Sequence, residues 1–95
     1  VVTLNGNAGR ISLSEISPNP ARDKATIEVI SDNAVNASIS VVDLNGNEVY
    51  QIHNGSLNTG INSMVINLST LSSGAYSIIL KTDNVVLTTK LNVVK

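Results

Sequence analysis

Chemistry on a protein surface needs a group that gives or takes a proton, and this chain has a single imidazole to offer, His53. To act as a general base, His53 would need a nucleophile within hydrogen-bond reach and a third group to orient it. No Gly-x-Ser-x-Gly elbow supplies a serine. With no partner to name, a lone strand histidine facing solvent is the better reading. The seven carboxylates are Glu15, Asp23, Glu28, Asp32, Asp43, Glu48 and Asp83. They are scattered, and alternation brings no two of them clearly to one cleft, as glycoside hydrolysis would require. No enzyme site assembles from these residues.

Binding chemistry is also thin. There is no cysteine, so neither a disulfide nor a thiolate metal site is available. The run Asp43-Leu44-Asn45-Gly46-Asn47-Glu48 has a passing likeness to a calcium loop, but Gly46 falls fourth where an EF-hand loop has its glycine sixth. A hairpin turn whose Asp43 caps local amides is the preferred reading, with a calcium site as the alternative. No cofactor is expected. Net charge is −1 and aromatics make up 2% of the chain, with no Trp, no Phe and only Tyr50 and Tyr76. Nucleic acid would demand clustered Lys/Arg and stacking rings, so it is not expected as a partner. The same poverty of rings argues against a sugar-binding platform. Asn36-Ala37-Ser38, Asn54-Gly55-Ser56 and Asn67-Leu68-Ser69 match the glycosylation sequon, which an Asn- and Ser-rich chain produces by chance.

The elements that must position any surface read as strands. Ile11, Leu13 and Ile16 form a first short strand, followed by Ser17-Pro18-Asn19-Pro20. Two prolines in three residues exclude a central strand and predict a rigid, extended crossing between sheets. Lys24 to Ile30 alternates cleanly, with Ala25, Ile27 and Val29 inward. Ala37, Ile39 and Val41 line a third strand, whose alternation breaks at Val42, where a bulge or burial on both faces is expected. Asn45-Gly46 predicts a type I′ hairpin turn into a strand from Glu48 to His53. Asn54-Gly55 and Asn58-Thr59-Gly60 read as a looped connection. Met64, Ile66 and Leu68 mark a fifth inner face, and Tyr76, Ile78 and Leu80 a sixth. In the last strand Val85, Leu87, Thr89, Leu91 and Val93 face one way, and the run reaches Lys95. Seven short strands, no helical stripe and 95 residues predict one all-β domain, a seven-stranded Ig-like antiparallel β-sandwich.

Residues 1–10 read as a linker from a parent protein and residues 11–95 as the domain. The chain begins with Val1 and not Met, so the expectation is a fragment or processed product of a larger chain. No apolar run of about 18 residues exists, so no membrane span is predicted. No positively charged segment leads into an apolar run at the N-terminus, so any signal peptide is expected on the missing part of the parent.

The punctuation, taken in order, resembles a known family. Ser17-Pro18-Asn19-Pro20-Ala21 opens the domain, and Val42-Asp43-Leu44-Asn45-Gly46-Asn47-Glu48-Val49 occupies its middle. Leu57 to Asn62 and Leu71-Ser72-Ser73-Gly74-Ala75-Tyr76 precede the last hairpin, and Lys90-Leu91-Asn92-Val93-Val94-Lys95 closes the chain. This set is similar to the type A C-terminal sorting domain of the type IX secretion system of Bacteroidetes, over about Ile11 to Lys95. The resemblance implies a non-catalytic export signal that carries an N-terminal cargo domain through the periplasm to the outer-membrane translocon. It also implies a sortase-like peptidase that removes the domain, and cargo that is then attached to the cell surface or released.

By the resemblance, Pro18, Asn19 and Pro20 match the first motif, Asp43, Leu44 and Gly46 the second, and Gly74 and Tyr76 the Gly-x-Tyr motif. Lys90, Leu91, Val93 and Lys95 match the last. Ser77 and Asn92 depart from the family's usual residues. Lys90, Leu91, Val93, Val94 and Lys95 are the candidates for translocon recognition, through an exposed strand edge open to strand addition. Structural readings stand beside these: prolines that fix a crossover, and a Tyr76 hydroxyl bonded at a corner. Asn5, Gly6, Asn7, Ala8 and Gly9, small and polar, are the candidate cleavage region. The competing expectations are an adhesive or carbohydrate-binding sandwich, which has no catalytic role either, and a linker domain that stabilises its neighbour.

Overall fold

Alternation of apolar and polar side chains settles both sheets. The computed structural model describes residues 2–3, 10–14, 16–19, 21–83 and 85–95, with Val2, Thr3 and Arg10 described by their backbone. Eight strands follow in order: β1 (Val2–Thr3), β2 (Arg10–Leu13), β3 (Lys24–Ser31), β4 (Val35–Val42), β5 (Glu48–Leu57), β6 (Gly60–Asn67), β7 (Gly74–Lys81) and β8 (Val86–Val93). They form two four-stranded antiparallel sheets, β1-β2-β3-β6 and β5-β4-β7-β8. Among the described residues there is no helix.

β3 shows the rule at its cleanest: Ala25, Ile27, Val29 and Ser31 are buried, while the residues between them are exposed. Facing them across the sandwich are Ala37, Ile39 and Val41 of β4, Ile78 and Leu80 of β7, and Leu87, Leu91 and Val93 of β8. The core is aliphatic throughout, with Tyr50 and Tyr76 only packed against its margin. Burial of branched aliphatic side chains, at about 1.5–3 kcal/mol each, holds the two sheets together.

The seven expected strands are β2 to β8, and the sandwich is all-β as the alternation required. Several local readings are corrected. Val2–Thr3, expected in the linker, pairs with Ile11 and Arg10 of β2. Asn5 to Gly9, the candidate cleavage region, lie outside the described residues. β5 does not stop at His53. Asn54 and Gly55 pair with Ser38 and Ala37, so this Asn-Gly is strand and not turn. The bulge expected at Val42 is present, between Val41 and Val42 in the register, with the extra residue Val49 on β5; a second one, not foreseen, skips Ile52 opposite Ile39 and Ser40. Bulges re-aim a strand and let one long edge strand follow the sandwich's curvature.

The Asn45-Gly46 turn is also of another type. No non-glycine residue has positive φ among the described residues, and Gly46 alone in this turn does, at 87°. A type I′ turn needs positive φ at both central residues. Here the Asp43 carboxylate accepts the amides of Asn45 and Asn47, both at 2.9 Å, and the Gly46 amide bonds the Asp43 carbonyl at 3.0 Å. The side chain favours a right-handed turn through Leu44 and Asn45, and one left-handed residue closes it.

Candidate functional site

The proline segment does not cross between sheets, because β2 and β3 that flank it are neighbours in one sheet. It leaves that sheet, touches the edge of the other, and returns. β8 is the last strand of its sheet, so β7 pairs with one of its edges and the other would face solvent. That second edge is occupied along its latter half. The Ala21 amide donates to the Asn92 carbonyl, and the Val94 amide donates to the Ala21 carbonyl, both at 2.8 Å. Ala21 and Val93 thereby form a parallel bridge. The Asn19 side chain extends the contact by one step. Its Oδ1 accepts the Asn92 amide at 3.1 Å, and its Nδ2 donates to the Lys90 carbonyl at 3.3 Å.

An asparagine amide suits this task because it offers an acceptor and a donor side by side, as a peptide group does. It stands in for one more residue of backbone pairing. A third tie fixes the end of the chain's last segment. The Lys95 amide donates to Ser73 Oγ at 3.0 Å, and Lys95 Nζ donates to the Leu68 carbonyl at 2.7 Å. Leu68 O also accepts from the Leu71 amide, so the ammonium caps a turn that is already formed.

Two expectations for Lys90–Lys95 change as a result. The edge of this segment is not exposed, because Asn19 and Ala21 already pair with it; a receptor strand would have to displace them. Covering an edge is the usual protection against unwanted pairing. Leu91 and Val93 are buried in the core and are not available for contact. What the segment presents is the alternate row: Lys90, Asn92 and Val94 point outward, with Val94 52% exposed, and Lys95 is exposed beside them. A shallow depression lined by Ile16, Asn19, Thr89 and Lys90 adjoins this row.

The remaining motif residues gather toward the same end. Gly74 pairs with Val93 and Tyr76 with Leu91. The Tyr76 hydroxyl donates to the Ser72 carbonyl at 2.7 Å, bracing the corner that receives Lys95. Val42 pairs with Ser77, and Ser77 with Lys90, so the Asp43–Gly46 turn rises from this end too. Leu44 at its tip is 83% exposed. Ala21, Ser73 and Asn92 carry contacts that no motif reading had assigned to them. The Asn92 contacts are made by its backbone amide and carbonyl, so no residue type at this position could have signalled them. His53 stays apart; its Nε2 lies 3.1 Å from the Ser56 carbonyl, to which it donates. No three His, Asp or Glu side chains converge among the described residues.

Two stability predictions arise here. Asp43→Ala leaves two turn amides without their acceptor and should cost about 1–2 kcal/mol in urea unfolding. Tyr76→Phe removes one hydrogen bond and keeps the ring, and should cost about 0.5–1.5 kcal/mol in the same measurement.

Residues 15–95 match the family described as the secretion system C-terminal sorting domain. The chain belongs to this family. The sorting domain is a secretion signal of the type IX system, and the adhesion alternative finds no support. Membership implies a larger cargo chain, the type IX machinery, and export to the cell surface or the medium. No helix among the described residues is long and apolar enough to cross a membrane. No curated protein matches the sequence. Among solved structures, dimeric latent PorU from Porphyromonas gingivalis is similar, with 15% identity and a TM-score of 0.62. The match covers 98% of the sorting domain and 10% of the PorU chain. At that identity the likeness shows a shared fold.

Proposed function

We propose that the type IX translocon reads the sorting domain through the outward row that ends β8, Lys90 and Asn92, with Val94 just beyond the strand and Lys95 beside it. The alternation of this strand carries the proposal. Leu91 and Val93 lock it into the core, and that locking turns Lys90, Asn92 and a half-exposed Val94 toward solvent, while Lys95 stays exposed beside them with its ammonium bonded to the Leu68 carbonyl. Positive charge around a small apolar contact suits an acidic groove with an apolar floor, where charge steers the encounter and desolvated packing holds it. Leu91 and Val93 contribute by positioning.

The finer course of export follows from the family resemblance. The cargo enters the periplasm, the domain docks at the outer-membrane translocon, and a sortase-like peptidase removes the domain; the small, polar composition of Asn5–Gly9, and not the family, makes that stretch the candidate for the cut. The cargo is then attached to the surface or released. The signal serves as the peptidase's substrate and does no chemistry itself.

The test is a secretion assay. Residues 1–95 are fused to a fluorescent reporter that carries an inner-membrane signal peptide, in a bacterium with type IX secretion. Parallel strains lack Val94 and Lys95, which leaves the core residues Leu91 and Val93 in place, or lack the translocon. Reporter outside the cell only with both intact supports the reading. A folded domain retained in the periplasm of every strain overturns it. Mass spectrometry of the exported reporter is expected to find a new C-terminus among residues 5–9; one well inside the sandwich would refute the cleavage assignment.

A further inference from the structure

From the hydrogen bonds that join residues more than seventy positions apart, we infer that Asn19 is a positioning residue of the sorting signal. On this inference the signal is not confined to the last strand. Asn19 holds β8 at the height and register in which Lys90, Asn92 and Val94 can be read. The inference rests on the docking surface proposed above and adds a requirement to it.

Three observations support it. First, β8 ends its sheet, so beyond the ladder to β7 its latter half is held in plane by Asn19 and Ala21. Second, Asn19 engages two backbone groups of β8 that belong to the outward row itself, the Lys90 carbonyl and the Asn92 amide. Losing the pair would free the strand's edge at the point where its side chains must be presented. Third, the Asn19 side chain is exposed and packs into no core. Its conspicuous work is therefore done on β8, and its removal need not empty a cavity. A flexible docking row loses affinity because ordering it costs free energy at the moment of binding, and a pre-ordered row avoids that cost.

The experiment compares Asn19→Ala, Asn19→Asp and a control, Ser31→Ala, in the reporter fusion. Ser31 also loses one side-chain hydrogen bond, to the Asn33 carbonyl, but sits in the other sheet. Asn19→Asp keeps an acceptor for the Asn92 amide and loses the donor to the Lys90 carbonyl. Two readouts are taken: export at equal folded fraction, and amide exchange at Asn92 and Val94.

The inference expects Asn19→Ala to speed exchange at Asn92 about tenfold. It expects export to fall several-fold below that of Ser31→Ala, with Asn19→Asp between them. Unchanged exchange at Asn92 would overturn it, since Asn19 would not then be holding the strand. Export equal to the control would also overturn it. If Lys90→Glu still blocks export in that case, the docking surface survives without the positioning residue. Should Asn19→Ala fail to fold, Asn19→Asp is judged against the control by the same two outcomes.

Discussion

Leu91→Ala is expected to lower the unfolding free energy by about 2–5 kcal/mol. Leu91 has no exposed surface, lies opposite Tyr76 in the sheet, and faces the other sheet across the sandwich. Cutting it back removes buried methyl groups and leaves a void that the stiff neighbouring strands only partly fill. A domain of this size holds about 5–15 kcal/mol in total, so the loss takes a large share of it. Urea unfolding gives the number directly, as a lower midpoint at unchanged slope. Leu91→Met keeps the volume and should cost less than about 1.5 kcal/mol. Export measured beside stability then decides what the buried residues of the last motif do. If they only hold the strand, export follows the folded fraction, and Leu91→Met exports normally. Loss of export in a fully folded Leu91→Met would assign the side chain a direct contact after all.

Much of the sandwich could be read from alternation, because a sheet with one buried face imposes period two on its strands. β3 and β8 show this: Ala25, Ile27 and Val29, then Leu87, Leu91 and Val93, lie inward as their spacing requires. The reading failed where another force outweighed the period. β6 starts at Gly60, earlier than its apolar residues suggest, because Asn62 fills an inward-side position. Its side chain is satisfied there by the Asn58 amide and carbonyl and by the Val29 carbonyl. Asn54-Gly55 has turn composition yet sits in β5, where pairing with β4 overrides local preference. β1 has two residues, too few to carry any period.

The candidate site was legible as a set of motifs and not as an arrangement. The proline segment and the last strand were each conspicuous, yet nothing local in either one refers to the other. Their junction depends on bonds from Asn19 to residues 71 and 73 positions away. No spacing rule reaches that far. Proline chemistry predicted a segment that is no central strand, and Pro18 and Asn19 lie outside the strands, but it did not predict the segment's destination. The edge reading erred for the same reason: the strand was expected to be open because the segment that covers it lies at the other end of the chain.

Lys90→Glu combined with Val94→Ser is expected to reduce export about tenfold or more, while the domain stays folded. A tenfold loss corresponds to about 1.4 kcal/mol of docking free energy, a modest demand on two central contacts. Both side chains are exposed, and neither hydrogen-bonds to another of the described residues, so unfolding should shift by no more than about 0.5 kcal/mol. The two changes act by different physics. Reversing the charge at residue 90 weakens the approach to an acidic groove, and its effect should shrink as ionic strength screens the field. Replacing Val94 removes apolar contact, so its effect should persist at any salt concentration. Binding of the purified domain to translocon-bearing outer membranes, measured for each single variant at low and high salt, separates the two contributions. Equal binding by the double variant and the parent domain would move recognition away from β8. The Asp43–Gly46 turn, with Leu44 exposed at its tip, would then be the next surface at the same end of the sandwich to test.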